Sequence, residues 1–214
     1  MLDCDPKYLI DSQLDITIGK RKENTVNDNL AYEEEWLEEL IDGKLVAMSP
    51  AVTNHNRIKR NISTIFDVYL ENHPCEVLPD GEAVYLSDTD FYYPDVIVVC
   101  DPDKIQPDGV HGAPDLVVEV LSPSTARYDK GRKKNVYEMS GVREYWLVEP
   151  ANKSVEQWLL KDGRFVLNDV YSIYPDYMLA RMKDSERASV ATAFKCSLYD
   201  DLTIRLKDVF RRVL

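Results

Sequence analysis

Glu119 is the residue whose chemistry most needs an explanation. It stands inside the run Leu116-Val-Val-Glu-Val-Leu121, where every neighbour favours burial. A carboxylate taken out of water is costly unless it is ion-paired or coordinates a cation, so Glu119 is either a structural ion-pair partner or a metal ligand. A second apolar run, Asp95-Val-Ile-Val-Val-Cys100, precedes it. If the two runs lie antiparallel, the start of the first meets the end of the second. Asp95 then comes opposite Glu119 or its near neighbours, while Asp115 falls opposite Val99 and fixes the strand entry. Two carboxylates converging at a strand end make a hard oxygen site suited to Mg²⁺ or Mn²⁺. The alternative is a capping aspartate beside a salt-bridged glutamate.

A cation is expected on the helix that follows. On a helix over 130–140, Val136 and Tyr137 face inward, and Lys133 lies three and four residues before them on the same face. Lys133 is the lysine best placed to point at the carboxylates, against the bland reading of a snorkelling surface lysine. Lys134 pairs better with Glu138 on the outer face, and Asp129 caps the helix. Arg127, Lys130, Arg132, Lys133 and Lys134 form a basic cluster that would suit a phosphate backbone or be merely a solvated face. Glu39 could supply a further carboxylate or be one surface acid among several on a helix. His55 could touch substrate or water, or simply cap and pack. Ser122 could donate to Glu119 or to phosphate, or form a turn. Trp146 reads as core.

The elements that must position these groups follow from periodicity. Tyr32–Ile41 reads as an amphipathic helix with Trp36, Leu37, Leu40 and Ile41 on one stripe. Asp42-Gly43 is a turn and Lys44–Met48 a short strand. A longer helix runs from His55 to Glu71, with Ile58, Ile62, Ile65, Phe66 and Tyr69 at helical spacing. Strands are expected at 76–78, 83–86, 95–100, 115–121 and 144–148, with 101–114 as a long loop. Gly141 stops the 130–140 helix, and Asp162-Gly163 turns a hairpin of 155–160 and 165–170. Residues 175–195 are polar and poorly patterned, and 202–209 alternate. Residues 1–25 read as an irregular arm and 26–214 as a single α/β domain.

Composition fits an ordinary globular protein, with 44% hydrophobic and 30% charged residues over 214 positions. No stretch approaches the roughly 20 apolar residues of a membrane span, and the first 19 residues do not form a secretion signal, so the cytoplasm is the expected compartment. The four cysteines are widely scattered and imply neither a zinc site nor a disulfide, with Cys100 a small buried residue. A net charge of −12 argues against a broad basic surface of the kind that binds phosphates.

The ordered string Tyr93-Pro94-Asp95-Val-Ile-Val-Val, Gly112-Ala-Pro-Asp-Leu-Val-Val-Glu119-Val-Leu-Ser-Pro-Ser-Thr125, Asp129…Lys133…Tyr137 and Gly141-Val-Arg-Glu-Tyr-Trp-Leu-Val148 resembles the Uma-two family, described as endonucleases of the PD-(D/E)XK, or restriction-endonuclease-like, superfamily. The likeness extends upstream to Glu39-Leu-Ile-Asp-Gly-Lys-Leu-Val-Ala-Met-Ser-Pro50 and His55, and more weakly to the C-terminal part ending at Phe210. It implies a mixed β-sheet flanked by helices. It further implies that Asp95 and Glu119 hold Mg²⁺ or Mn²⁺, with the backbone carbonyl of Val120 or Leu121 completing the coordination. Nucleic acid, expected to be DNA, is the implied partner, and a homodimer would let two sites address two strands. The superfamily motif places its lysine two residues after the glutamate, where this chain has Leu121. Lys133 matches the position to which that lysine moves in families of this kind. The alternative is a catalytically degenerate nuclease-fold binding or scaffold protein.

Overall fold

Two hairpins of this chain are closed by Asp-Gly turns. Asp42 (φ 54°) and Gly43 (φ 70°) close one, and Asp162 (φ 51°) and Gly163 (φ 75°) close the other. Successive positive φ angles match the right-handed twist of the flanking strands, which is why Asp-Gly recurs there. The computed structural model describes residues 37–48 and 51–214. The expected arm over 1–25 lies outside the described residues, as do residues 32–36 of the expected first helix.

The strands run β1 (Glu38–Ile41), β2 (Lys44–Ala47), β3 (Glu76–Pro79), β4 (Val84–Ser87), β5 (Asp90–Tyr92), β6 (Val96–Val99), β7 (Ile105–Gln106), β8 (Gly109–His111), β9 (Leu116–Val120), β10 (Glu144–Glu149), β11 (Ser154–Lys161) and β12 (Arg164–Ser172). A small hairpin, β13 (Ala193–Lys195) with β14 (Thr203–Arg205), follows. Helix α1 is Thr53–Leu70. Ala126–Tyr128, a π turn at Asp129–Lys133 and Lys134–Ser140 form one helical run, called α2 below.

The central sheet has the order β12-β11-β10-β9-β6-β3. It is mixed, because β9 and β10 are parallel while β6 is antiparallel to β9. Its central strands β6, β9 and β10 are buried on both faces, hence their near-continuous apolar residues. One face, through Val96, Val98, Val118 and Trp146, packs on Ile58, Ile62 and Phe66 of α1 and on the C-terminal segment. The other, through Ile97, Val99, Val117 and Tyr145, meets Val136 and Tyr137 of α2 together with Ile41, Val84 and Tyr92 of a second sheet ordered β2-β1-β5-β4-β8-β7. Among the described residues no helix is long and apolar enough to cross a membrane.

Three expectations are corrected. The expected helix over 32–41 is, in its described part, the strand β1. Glu39 and Ile41 are buried while Glu38 is exposed and Leu40 half-buried, a period of two that pairing across the Asp42-Gly43 turn imposes on residues of good helix propensity. The expected loop over 101–114 holds β7 and β8, with β8 lying parallel to β4. Gly109 is required there, since a Cβ would run into the Ala83 carbonyl. Finally, Cys75 and Cys100 form a disulfide. They follow the register that sets Glu76 against Val99, so two cysteines 25 residues apart become directly facing neighbours, which spacing in the chain did not reveal.

A buried carboxylate of a different sort lies in β10. Glu144 is fully buried and accepts from Trp146 Nε1 (2.6 Å), Gln157 Nε2 (2.6 Å), the Ser197 amide (2.7 Å) and the Ser197 hydroxyl. These neutral donors, with the Cys196 thiol at 3.7 Å, satisfy it without a cation, and they tie the turn after β13 to the central sheet. Trp146 is core, as expected.

Candidate active site

The pairing of β6 with β9 (Val96 against Val118, Val98 against Leu116) continues outward to set Asp95 opposite Glu119 and Val99 opposite Asp115. Asp115 indeed acts at the far end, where its carboxylate accepts the Cys100 amide at 2.8 Å. Asp95 and Glu119 are both buried, at 6% and 3% exposure. The Val120 amide donates to Asp95 Oδ2 at 2.6 Å, locking the carboxylate to the neighbouring strand. It is thus the N–H of Val120 whose contact with Asp95 is defined.

Helix α1 reaches this carboxylate from one side. His55 Nε2 lies 3.2 Å from Asp95 Oδ2, and Lys59 Nζ lies 3.5 Å from Asp95 Oδ1 and 2.8 Å from Asp80. His55 and Lys59 are one helical turn apart and so share a face. That spacing was the signal available for Lys59, which the sequence reading missed.

Helix α2 closes the other side. Lys133 is 3% exposed, with Nζ at 2.7 Å from Glu39 Oε1, 3.3 Å from Glu119 Oε1 and 3.5 Å from Asp129 Oδ1. The Tyr137 hydroxyl donates to the same Glu119 oxygen at 2.9 Å. Asp129, Lys133 and Tyr137 are spaced by four, and the π turn over Asp129–Lys133 is wider than an α turn, so residues four apart lie more nearly in line. The Tyr145 hydroxyl donates to the Asp129 carbonyl within this turn at 3.0 Å. Asp129 is therefore a buried member of the cluster and not the cap expected of it.

Other expectations change with the geometry. Glu39 is no helix-surface acid. It is buried on β1, its Oε1 accepting from Lys133 and from the Tyr93 amide at 2.9 Å. Ser122 Oγ meets Ser124 and Thr125 at 3.0 Å each, the turn-forming alternative. Lys134 lies over the Trp158 ring while Glu138 accepts from Arg164 and the Phe165 amide. Leu121, two residues after Glu119, is buried in the apolar cluster around Tyr137. The basic cluster is largely neutralised: Arg132 pairs with Asp90 and Asp42, Lys130 with Glu156, and Lys133 with the three acids above.

Burial pushes Glu119 well above the usual carboxylate range. The Lys133 ammonium opposes this, and Asp129, Asp95 and Glu39 add to it. Burial likewise raises Asp129, against Lys133 and a hydrogen bond from Thr125. Lys133 itself would be lowered by burial, but Glu119, Glu39 and Asp129 reverse that and hold it charged. Tyr137 is raised by burial and by Glu119, so its hydroxyl stays a donor. Negative charge is thus in excess, and Asp129 Oδ1 is buried without a hydrogen-bond partner. In kind, this set of hard oxygens suits a divalent cation. Among the described residues no three acidic or histidine side chains stand together as a cage, so an ion would rest on Asp95 and Glu119 with other oxygens completing its shell.

Asp90 couples the two elements that carry Glu39 and Lys133. It accepts from the Asp42 amide at the β1–β2 turn (3.1 Å), from Tyr92 (2.6 Å) and from Arg132 on α2 (2.9 Å). Burial alone would raise it, yet hydrogen bonds from Tyr92, Asp42, Arg132 and Thr89 outweigh that and hold it at about 2. A depressed carboxylate stabilises the fold above its ordinary value, near 3.8, and that contribution is lost as pH falls through about 2. Denaturant titrations across this range are expected to fall more steeply for the wild type than for Asp90→Asn; parallel curves would discount the clamp.

The family described as "Uma2: Putative restriction endonuclease" matches residues 27–172. The chain is 34% identical to "Uncharacterized protein slr1290" of Synechocystis sp. over 137 residues, 62% of this chain and 72% of that one. It is 27% identical to "Uncharacterized protein sll1609" of the same organism over 161 residues, 69% of this chain and 91% of that one. A solved structure titled as a "putative nuclease belonging to DUF820" from Anabaena variabilis shares the fold, with a TM-score of 0.62 at 18% identity, over 83% of this chain and 91% of that chain.

Proposed function

Because the chain belongs to the Uma2 family, we propose that it is a metal-dependent endonuclease hydrolysing phosphodiester bonds in DNA. The observation that carries this reading is the convergence of Lys133 with Glu39 and Glu119 beside the cross-strand Asp95. Asp95 and Glu119 would hold Mg²⁺ or Mn²⁺, which when bound polarises the phosphate and lowers the pKa of a bound water.

The chain's own residues do the rest. The Val120 amide and His55 hold Asp95 in place on one strand, and the Tyr137 hydroxyl holds Glu119. Lys133 is a fixed, permanently charged group aimed at where negative charge develops on the phosphate, a placement that favours the transition state over the ground state. Lys59, shared between Asp80 and Asp95, is the second cation within reach.

The test is cleavage of supercoiled, linear duplex and single-stranded DNA with Mg²⁺ or Mn²⁺, comparing wild type with Asp95→Asn. Metal-dependent cutting that the variant loses is the expected result. Cutting that survives the substitution would sink the site. No cutting of any substrate would favour the second reading, a binding protein that keeps the nuclease fold, which Leu121 at the superfamily motif's lysine position also favours.

A further inference from the structure

A third carboxylate stands in line with Asp95 and Glu119. The β3–β6 register sets Glu76 against Val99 and Pro79 against Val96, and its next step outward sets Asp80 opposite Asp95. Asp80, Asp95 and Glu119 thus follow one another across the ends of three neighbouring strands. Like charges directly opposite destabilise a sheet, and Lys59 of α1 stands between the first two. Its Nζ donates to Asp80 Oδ2 at 2.8 Å and lies 3.5 Å from Asp95 Oδ1. The two acids differ in surroundings: Asp95 is buried, whereas the Asp80 side chain is 49% exposed. With one partner half in solvent, the Lys59–Asp80 pair adds little to stability. What Asp80 does offer is a second place for the ammonium.

The two oxygens of Asp95 also differ. Oδ2 accepts from the Val120 amide and faces His55 Nε2. Among the described residues, Oδ1 has Lys59 alone. Oδ1 is therefore the oxygen that a divalent cation would take, and a cation there would meet the ammonium at a distance where like charges repel strongly. One of the two must yield. Lysine carries its charge on a flexible four-carbon stem. A groove of about 510 Å³ between α1 and β3, lined by Asn56, Lys59, Arg60, Pro79 and Asp80 among others, gives Nζ room to turn from Asp95 while keeping Asp80.

We infer that Lys59 and Asp80 form a counter-ion relay that governs how tightly a divalent cation binds at Asp95. The ammonium holds Oδ1 until a cation takes it, and Asp80 then carries the lysine alone. Asp80 is a positioning residue that acts through Lys59. The relay rests on the metal reading of Asp95, but ion binding is measured apart from cleavage.

The experiment measures Mn²⁺ binding to the full chain without nucleic acid, by calorimetry and by loss of the free-ion electron paramagnetic resonance signal. Wild type is compared with Asp80→Asn, Lys59→Met and the double variant. Asp80→Asn should weaken Mn²⁺ binding about tenfold, because the ammonium is left with Asp95 as its one acid. Lys59→Met should bind at least as tightly as wild type. Adding Asp80→Asn to Lys59→Met should then change the affinity by less than about twofold, since no ammonium remains to be held. Should Lys59→Met melt early, Lys59→Gln, which keeps a hydrogen-bond donor beside both acids, carries the same comparison. Unchanged affinity in Asp80→Asn overturns the relay and leaves the pair a tie between α1 and β3. So does an equal loss in both backgrounds, which would make Asp80 act on the ion by its own charge. Metal-dependent cutting without coupling between the two positions would remove the relay and leave the nuclease reading. Coupled Mn²⁺ binding in a protein that never cuts would do the reverse. Wild type that takes up no Mn²⁺ would remove both the relay and the metal reading of Asp95.

Discussion

Glu119→Gln is expected to slow metal-dependent phosphodiester cleavage by about two to three orders of magnitude, the loss seen when one preorganised electrostatic group is removed from an active site. The same change should leave the melting temperature unchanged or raise it. Glu119 is 3% exposed and shares its one ammonium, Lys133, with Glu39 and Asp129. Burial and those neighbouring acids push its pKa up, so the charged form is a cost to folding at neutral pH. Glutamine keeps the shape and an acceptor for the Tyr137 hydroxyl while removing that charge. A residue retained for chemistry gives this pairing of lost activity with maintained stability. Cleavage assays and thermal melts on the same preparation check it. A variant that melts well below wild type would mark Glu119 as a structural ion-pair partner, the other reading open from the start.

Lys133→Met should behave in the opposite way. The methionine fills similar volume, yet Glu39, Glu119 and Asp129 are left buried around it without their shared cation. Breaking a buried ion pair by removing one partner costs about 3–5 kcal/mol. For a domain of this size each kcal/mol is worth about 2–4 °C, so the melting temperature should fall by roughly 6–20 °C. Adding Glu39→Gln to Lys133→Met should recover part of the loss, because one uncompensated carboxylate is removed and the two positions are in direct contact. A melting temperature within about 1 °C of wild type would show that the cluster sheds its charge by protonation and does not depend on the lysine.

The two variants together separate the two things a buried cluster can be. Loss of activity with stability kept belongs to the carboxylate, and loss of stability belongs to its counter-ion. Lys133 stands in both columns: the same ammonium that neutralises three acids in the folded protein is the charge proposed to face the phosphate.

The amino-acid sequence by itself marked the buried strands of the central sheet, because β-branched runs apolar on both faces must lie inside it. It placed Asp95 opposite Glu119 or its near neighbours only on the premise of antiparallel pairing. The structure supplied that pairing and its register, Val96 against Val118 and Val98 against Leu116. Helix α1, the Asp-Gly hairpins and the Gly141 helix stop were equally legible, since hydrophobic periodicity and positive φ angles are local properties. Tertiary structure decided the rest. Glu38–Ile41 has residues that favour a helix, and it became a strand because pairing with β2 and β5 satisfies its backbone and buries Glu39 against Lys133. Lys59 and the Cys75–Cys100 bridge join the cluster or the core only through elements far apart in the chain, and Asp129, four residues before Lys133, is buried with it only once the helix docks on the sheet. No local pattern distinguishes a buried lysine or aspartate from an exposed one. What selects it is whether an opposite charge waits on another element once the layers close.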